Sequence, residues 1–374
     1  MSGHLRFVCR KKLAMQNNNI NQPEYCQSIS IGGQAVMEGV MMNGIHHYAV
    51  ACRTAKGEIL SEIFERGSLT EKYKFLNIPI VRGVIKFAES LVIGFKTTDY
   101  AAEIYAADVD DDEAKNADGA GDSVGVHDAE GAGDSKDTET SKKAPKEKNF
   151  LEKFWEEKQE SILTALAFGL AIILALGLFV ALPVALSRLV YNHLVQSTVL
   201  LGVMEGVIRM LIFLLYLYLI SKIKDIRRTF EYHGAEHKCI HCFEAGLPFT
   251  VENVRKQTRF HKRCGTSFLF IIMIVSILVF AFIRITNPVA RFFTHLALIP
   301  LIAGLSYEVL KLSARSDSAL VNALVAPGLW IQRVTTREPD DEEIEVGIAS
   351  VKKLFEAEHP ELLYLFEEPS DDLS

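Results

Sequence analysis

Four histidines and three cysteines fall within residues 229–267, TFEYHGAEHKCIHCFEAGLPFTVENVRKQTRFHKRCGTS, between two apolar runs. If 229–244 is helical, as the Gly246 stop and Pro248 beyond it indicate, His233, His237 and His241 recur at i, i+4 and i+8 on one face. His233-Gly-Ala-Glu236-His237 is a His-x-x-Glu-His string, the inverted metallopeptidase order. In that order two imidazoles one turn apart hold zinc, and the carboxylate between them acts as general base on water. The bland alternative is a polar helix whose histidines bond water.

Two imidazoles leave a catalytic zinc one protein ligand short of the usual three. His261 ranks first as the missing ligand because it is near in sequence and on the same side of the next apolar run. Glu308 ranks second, since inverted-order metallopeptidases take a downstream glutamate, although pairing with Lys311 is its plain alternative. Cys264 ranks third. The chosen group is expected within about 5 Å of both His233 and His237. A rival reading pairs Cys239-x-x-Cys242 with His261-x-x-Cys264 as a structural zinc ribbon, but Cys239 and Cys242 would then lie inside a helix, where knuckle turns do not form.

The elements that must position these residues begin with four apolar runs. Residues 161–187 carry no charge, and 264–283 is nearly as clean, while 198–221 holds Glu205 and Arg209 and 289–310 holds His295, Pro300 and Glu308. The last two are expected to be the polar helices of a bundle, with Glu205 and Arg209 either helix-to-helix glue or part of an ion path. Basic residues crowd residues 142–158 and 222–263 and are sparse in the other connections. Both termini and the histidine stretch are therefore expected on the cytoplasmic side.

Before the spans, residues 31–44 are punctuated by glycines and read as a close-packed turn around Glu38, without the Gly-Lys-Ser/Thr of a phosphate loop. Residues 46–66 read as a β-hairpin turning at Ala55-Lys56-Gly57, and 78–95 as an amphipathic helix. Beyond the spans, Ala326-Pro327-Gly328 reads as a turn, and a helix follows Pro339 with Ile344, Ile348, Val351 and Phe355 as its buried stripe, the hairpin being its candidate partner.

Taken together, the motifs IGGQAVMEGVMMNG (31–44), PIVRGVIKFAESLVIGFK (79–96), YHGAEHK (232–238), FHKRCGTSF (260–268) and APGLWIQRVTTREPDDEEIEV (326–346) are similar to the bacterial YqhQ-like family. The resemblance covers about residues 30–357, broken by one insertion. It implies a bacterial cell-membrane protein of unknown function, in a family described as predicted metal-dependent enzymes. In that family's pattern the position of Cys239 is often not cysteine and that of Lys262 often proline, which counts against the ribbon.

Composition bounds the rest. The 374 residues are 49% apolar with a net charge of −7, and the acid gathers in residues 108–139 and the C-terminal tail. No nucleic-acid footprint follows. Six cysteines in a chain of this length are not expected to make a secreted disulfide framework, and the first 28 residues are polar, without an apolar core long enough for a signal peptide. The expected architecture is an α-helical membrane protein, a four-span bundle with a small cytoplasmic α+β domain. Its units are 1–28, disordered; 29–105, hairpin and amphipathic helix; 106–149, an acidic insertion too polar to bury a core; 150–228 and 264–312, the transmembrane pairs; 229–263, the histidine segment; and 313–374, a C-terminal helix and acidic tail. Its partners are the lipid bilayer and other membrane proteins. The expected function is a metal-dependent hydrolase with Glu236 as base and His233, His237 and one of His261, Glu308 or Cys264 as ligands to a divalent metal, zinc first. A non-catalytic scaffold with a structural metal, or a transporter using Glu205, Arg209, His295 and Glu308, are the alternatives.

Overall fold

A computed structural model of the chain describes residues 22–119, 163, 166–194, 197–262, 264–313 and 318–367. The N-terminal 21 residues, most of the acidic insertion, the lysine run at 142–158 and the end of the acidic tail lie outside the described residues.

Four strands, β1 (Gly32–Val36), β2 (Gly39–Asn43), β3 (His47–Arg53) and β4 (Ile59–Glu65), form an antiparallel meander in sequence order. The β3–β4 hairpin falls where alternation placed it. Its neighbour is a correction: the glycine-punctuated stretch is a second hairpin, β1–β2, with Glu38 at its tip in a left-handed conformation (φ 48°). Glycine and methionine blur the alternation that marks a strand, so this pairing was masked in the sequence. Its carboxylate takes Arg228 Nε and the Tyr232 hydroxyl, the latter at 3.2 Å.

Successive side chains of a strand point to opposite faces, and here both faces are covered. Val40, Met42, Ala49 and Ala51 join one core with Tyr232, Cys239, Phe243, Ile344, Val351 and Phe355. Val36, Met41, Tyr48, Val50 and Cys52 join a second with Ala101, Tyr100 and Phe64. The first core is built by two helices laid on the sheet, the histidine helix (Lys224–Glu244) and the C-terminal helix (Asp341–Glu358). The C-terminal helix starts at a capping box in which Asp340 and Glu343 satisfy each other's backbone N–H groups. Its stripe packs against the hairpin as its sequence pattern indicates.

Glu358 closes that packing. Its carboxylate accepts the backbone N–H groups of Ile45, His46 and His47 at 2.9, 2.6 and 2.5 Å, tying the β2–β3 turn to the helix end. Burial alone would push this carboxyl up, but the three N–H donors and His47 outweigh it and hold it below the usual carboxylate range. The unfolded chain therefore binds the proton more readily, so the contribution is full above the ordinary carboxylate range and is lost as pH falls through the lowered folded value. Glu358→Ala is expected to cost about 1.5–3 kcal/mol at neutral pH, and less in acid. Thermal melts of the two proteins across pH check this; parallel curves at every pH would contradict it.

The second core is closed by a long helix, Val81–Gly119, which outruns its expected end and enters the acidic stretch. Among the described residues, three helices, Leu166–Val190, Thr198–Ile220 and Pro288–Leu312, are long and apolar enough to cross a membrane. The fourth expected span is the apolar helix Gly265–Ala281, of 17 residues. At 1.5 Å per residue it reaches about 26 Å, short of about 30 Å of hydrocarbon. Residues 326–328 do not turn the chain. They lie inside the helix Ala319–Thr335, which carries Pro327 internally. A proline forfeits one backbone bond. The turn beyond it is anchored, because Gln332 is fully buried and donates to His261 O and Ser267 Oγ at 2.8 and 3.1 Å.

Between the apolar helices, Glu205 is fully buried and meets Arg291 Nε at 2.6 Å, His295 Nδ1 at 2.8 Å and Arg209 at 3.1 Å. Arg209 also donates to Phe179 O at 2.8 Å, within the π-helical turn Gly177–Ala181, where the irregular ladder leaves a carbonyl to be satisfied from outside. The expected pair is thus a four-member network. Arg291 was missed as a member because in sequence it reads as one of the basic residues of a connection.

Candidate metal centre

The histidine helix ends at Gly246 in the left-handed conformation (φ +65°), as its sequence required. Tyr232, Cys239, Ile240, Cys242 and Phe243 bury one face in the first core. This removes the ribbon: Cys239 and Cys242 are core thiols, Cys239 packed against Gly347 and Cys242 against the carbonyls of Leu247 and Pro248. The other face turns His233, His237 and His241 toward Arg259, Phe260 and Cys264, ahead of the helix Gly265–Ala281.

A backbone carbonyl oxygen can only accept a hydrogen bond, so a ring nitrogen facing one must carry the proton. His233 Nδ1 lies 2.8 Å from Thr335 O, and His237 Nδ1 lies 2.5 Å from Arg259 O. In its neutral form each imidazole is thereby fixed as the Nδ1–H tautomer, with a lone pair on Nε2. The Nε2 of His233 points to Cys264 Sγ at 3.2 Å, and the Nε2 of His237 is buried beside the same thiol with no other hydrogen-bond partner among the described residues. Burial lowers the pKa of His237 and keeps its lone pair unprotonated. One donor atom from each of His233, His237 and Cys264 lies within 4.8 Å of the others. Cys264 caps the helix Gly265–Ala281, with Thr266 N at 3.4 Å from its sulfur, and an anion is favoured at that end.

The residue that joins the two histidines is therefore Cys264, placed third by sequence. His261 is close to His237, at 5.7 Å between ring centroids, but its Nε2 faces Glu244 Oε1 at 3.5 Å. With His241 and Glu244 it forms a separate group. Glu308 stands elsewhere: Arg82 grips its carboxylate with two nitrogens, Nε at 2.7 Å. The alternative partner foreseen for it, Lys311, is not the one that holds it. Arg82 was the better candidate, because it leads an amphipathic helix that packs on the helix Pro288–Ser313 and its fork matches a carboxylate.

Glu236 is 4% exposed and faces β1, where the Gly33 N–H donates to it. A Cβ at Gly33 would stand 2.7 Å from Glu236 Cγ, so glycine is what lets the carboxylate reach the strand. One of its oxygens, Oε2, has no hydrogen-bond partner among the described residues. Burial pushes the carboxyl up to about 8, against the lowering by His233. Glu236, His233 and Cys264 share the wall of a cavity of about 570 Å³, otherwise lined mainly by apolar groups such as Phe87, Leu91 and Phe268, with Lys86 as its cation. Sequence reasoning missed the carbonyls of Thr335 and Arg259, which set the tautomers; main-chain acceptors carry no sequence signal.

The chain matches the family described as "Protein of unknown function (DUF1385)" over residues 78–357. The "Uncharacterized protein YqhQ" of Bacillus subtilis (strain 168) is 34% identical over 335 residues, covering 87% of this chain and 92% of that protein. No solved structure matches.

Proposed function

The chain belongs to the DUF1385 family, which carries no assigned reaction, so the site must supply the reading: we propose a metal-dependent hydrolase. His233, His237 and Cys264 would hold a divalent cation, zinc first, at the edge of the apolar cavity. The observation that carries this is the pair of carbonyl-fixed Nδ1–H tautomers, which aim two Nε2 lone pairs at one thiol. Backbone acceptors behind ligating histidines are the usual supporting arrangement of a metal centre. The donor set fits: two imidazoles and a thiolate leave a fourth position open, as catalytic zinc requires.

When bound, such a cation supplies Lewis acidity to the cavity. The chain's own part falls to Glu236, whose unpartnered oxygen is placed to take a proton from water and return it to a leaving group. Apolar walls exclude bulk water and fit a substrate with an apolar portion. Four crossings, with both termini and the centre at the cytoplasmic face, complete the proposal. The apolar helices and the alternation of basic flanks support it.

Metal analysis of the full-length protein, purified in detergent, tests the reading. Metal is expected to be retained by Glu236→Gln and lost from this centre in His237→Ala while the thermal melt stays cooperative. Metal content unchanged by His237→Ala would overturn it, and loss of the fold with the metal would make the site structural.

A further inference from the structure

We propose that His241, Glu244 and His261 form a second, sulfur-free site for a divalent first-row cation beside the first. One donor atom from each of the three lies within 4.8 Å of the others. His241 Nε2 lies 3.0 Å from Phe260 O, which accepts only, so that nitrogen carries the proton and the lone pair of the neutral ring is on Nδ1. That Nδ1 is 3.6 Å from Glu244 Oε2, while the other carboxylate oxygen is 3.5 Å from His261 Nε2. The carboxylate thus stands between two imidazoles, and His261 is only 6% exposed.

The way the groups are held repeats the first centre. Consecutive carbonyls, those of Arg259 and Phe260, fix the tautomers of His237 and His241 one helical turn apart. His261, the next residue, contacts both rings, at 5.7 Å from His237 and 4.9 Å from His241 between centroids. Its backbone is locked in turn by Gln332, which accepts from its N–H at 2.8 Å and donates to its carbonyl at 2.8 Å. One segment therefore organises both groups against a single helix face. Two imidazoles and a carboxylate are a donor set for zinc, manganese or ferrous iron, and differ from the first centre in lacking a thiolate.

The test counts metal on the full-length protein in detergent micelles, loaded with zinc or cobalt and freed of excess. Two equivalents per chain are expected. Glu244→Gln, at the helix end, and His241→Asn should each leave one equivalent and preserve the thiolate-to-cobalt charge-transfer band, which only the Cys264 centre can give. His237→Ala should also leave one equivalent, with that band gone. A wild-type protein that binds one equivalent and keeps it in Glu244→Gln overturns the second site, as does one that binds two and keeps both, or one that binds none. One equivalent lost in Glu244→Gln, with no thiolate band in the wild type, supports the second site and sinks the first. Cooperative melts of all three variants establish that lost metal is not lost fold.

Discussion

Glu205→Leu is expected to destabilise the protein by about 3–5 kcal/mol, because it leaves Arg209 and Arg291 buried and facing each other without their shared anion. The size of the effect comes from the cations left behind. Placing leucine at Glu205, Arg209 and Arg291 together should therefore recover most of the loss, since an apolar replacement of a whole buried ionic cluster is often neutral or better. Unfolding of the three proteins in the same detergent measures both numbers. A single variant within about 1 kcal/mol of the wild type, or a triple variant no better than the single, would show that the network is not what joins these helices.

Gly234→Ala is the second large effect, and it should reach the metal centre without touching a ligand. An added Cβ would stand 2.0 Å from Arg337 O, a backbone atom in a segment pinned to the histidine helix through Arg337 N and Phe230 O at 2.8 Å. The segment must retreat, and with it Thr335 O, which holds His233 in its tautomer. The overpacking should cost about 1–3 kcal/mol. Metal affinity should fall about 10–100-fold, the usual cost of a lost second-layer partner. Competition with a metal chelator gives the affinity, and a wild-type value would break the link between that carbonyl and the centre.

The histidine helix and its stop at Gly246 were readable because periodicity and termination are local properties of the chain. So was the C-terminal helix, down to the stripe at Ile344, Val351 and Phe355 that covers the hairpin. The third member of the centre was not. Choosing among His261, Glu308 and Cys264 required the path of residues 259–264 across the helix face, and that path is set by main-chain carbonyls and by Gln332, 71 residues away. Glu308 misled for a related reason: its partner Arg82 is 226 residues distant, and nothing near either residue announces the pair. The β1–β2 hairpin was hidden by its composition. Gly33, which read as a packing glycine, does serve close approach, but to the Glu236 carboxylate and the neighbouring strand.

The central claim is that Cys264 joins His233 and His237 around one cation. X-ray absorption at the metal edge of the full-length protein in detergent, compared with Cys264→Ser, measures this most directly. The account predicts a sulfur scatterer at about 2.3 Å alongside imidazole nitrogens in the wild type, and its disappearance in the variant with nitrogen retained. A first shell of nitrogen and oxygen alone in the wild type, or a sulfur signal that survives Cys264→Ser, would contradict it.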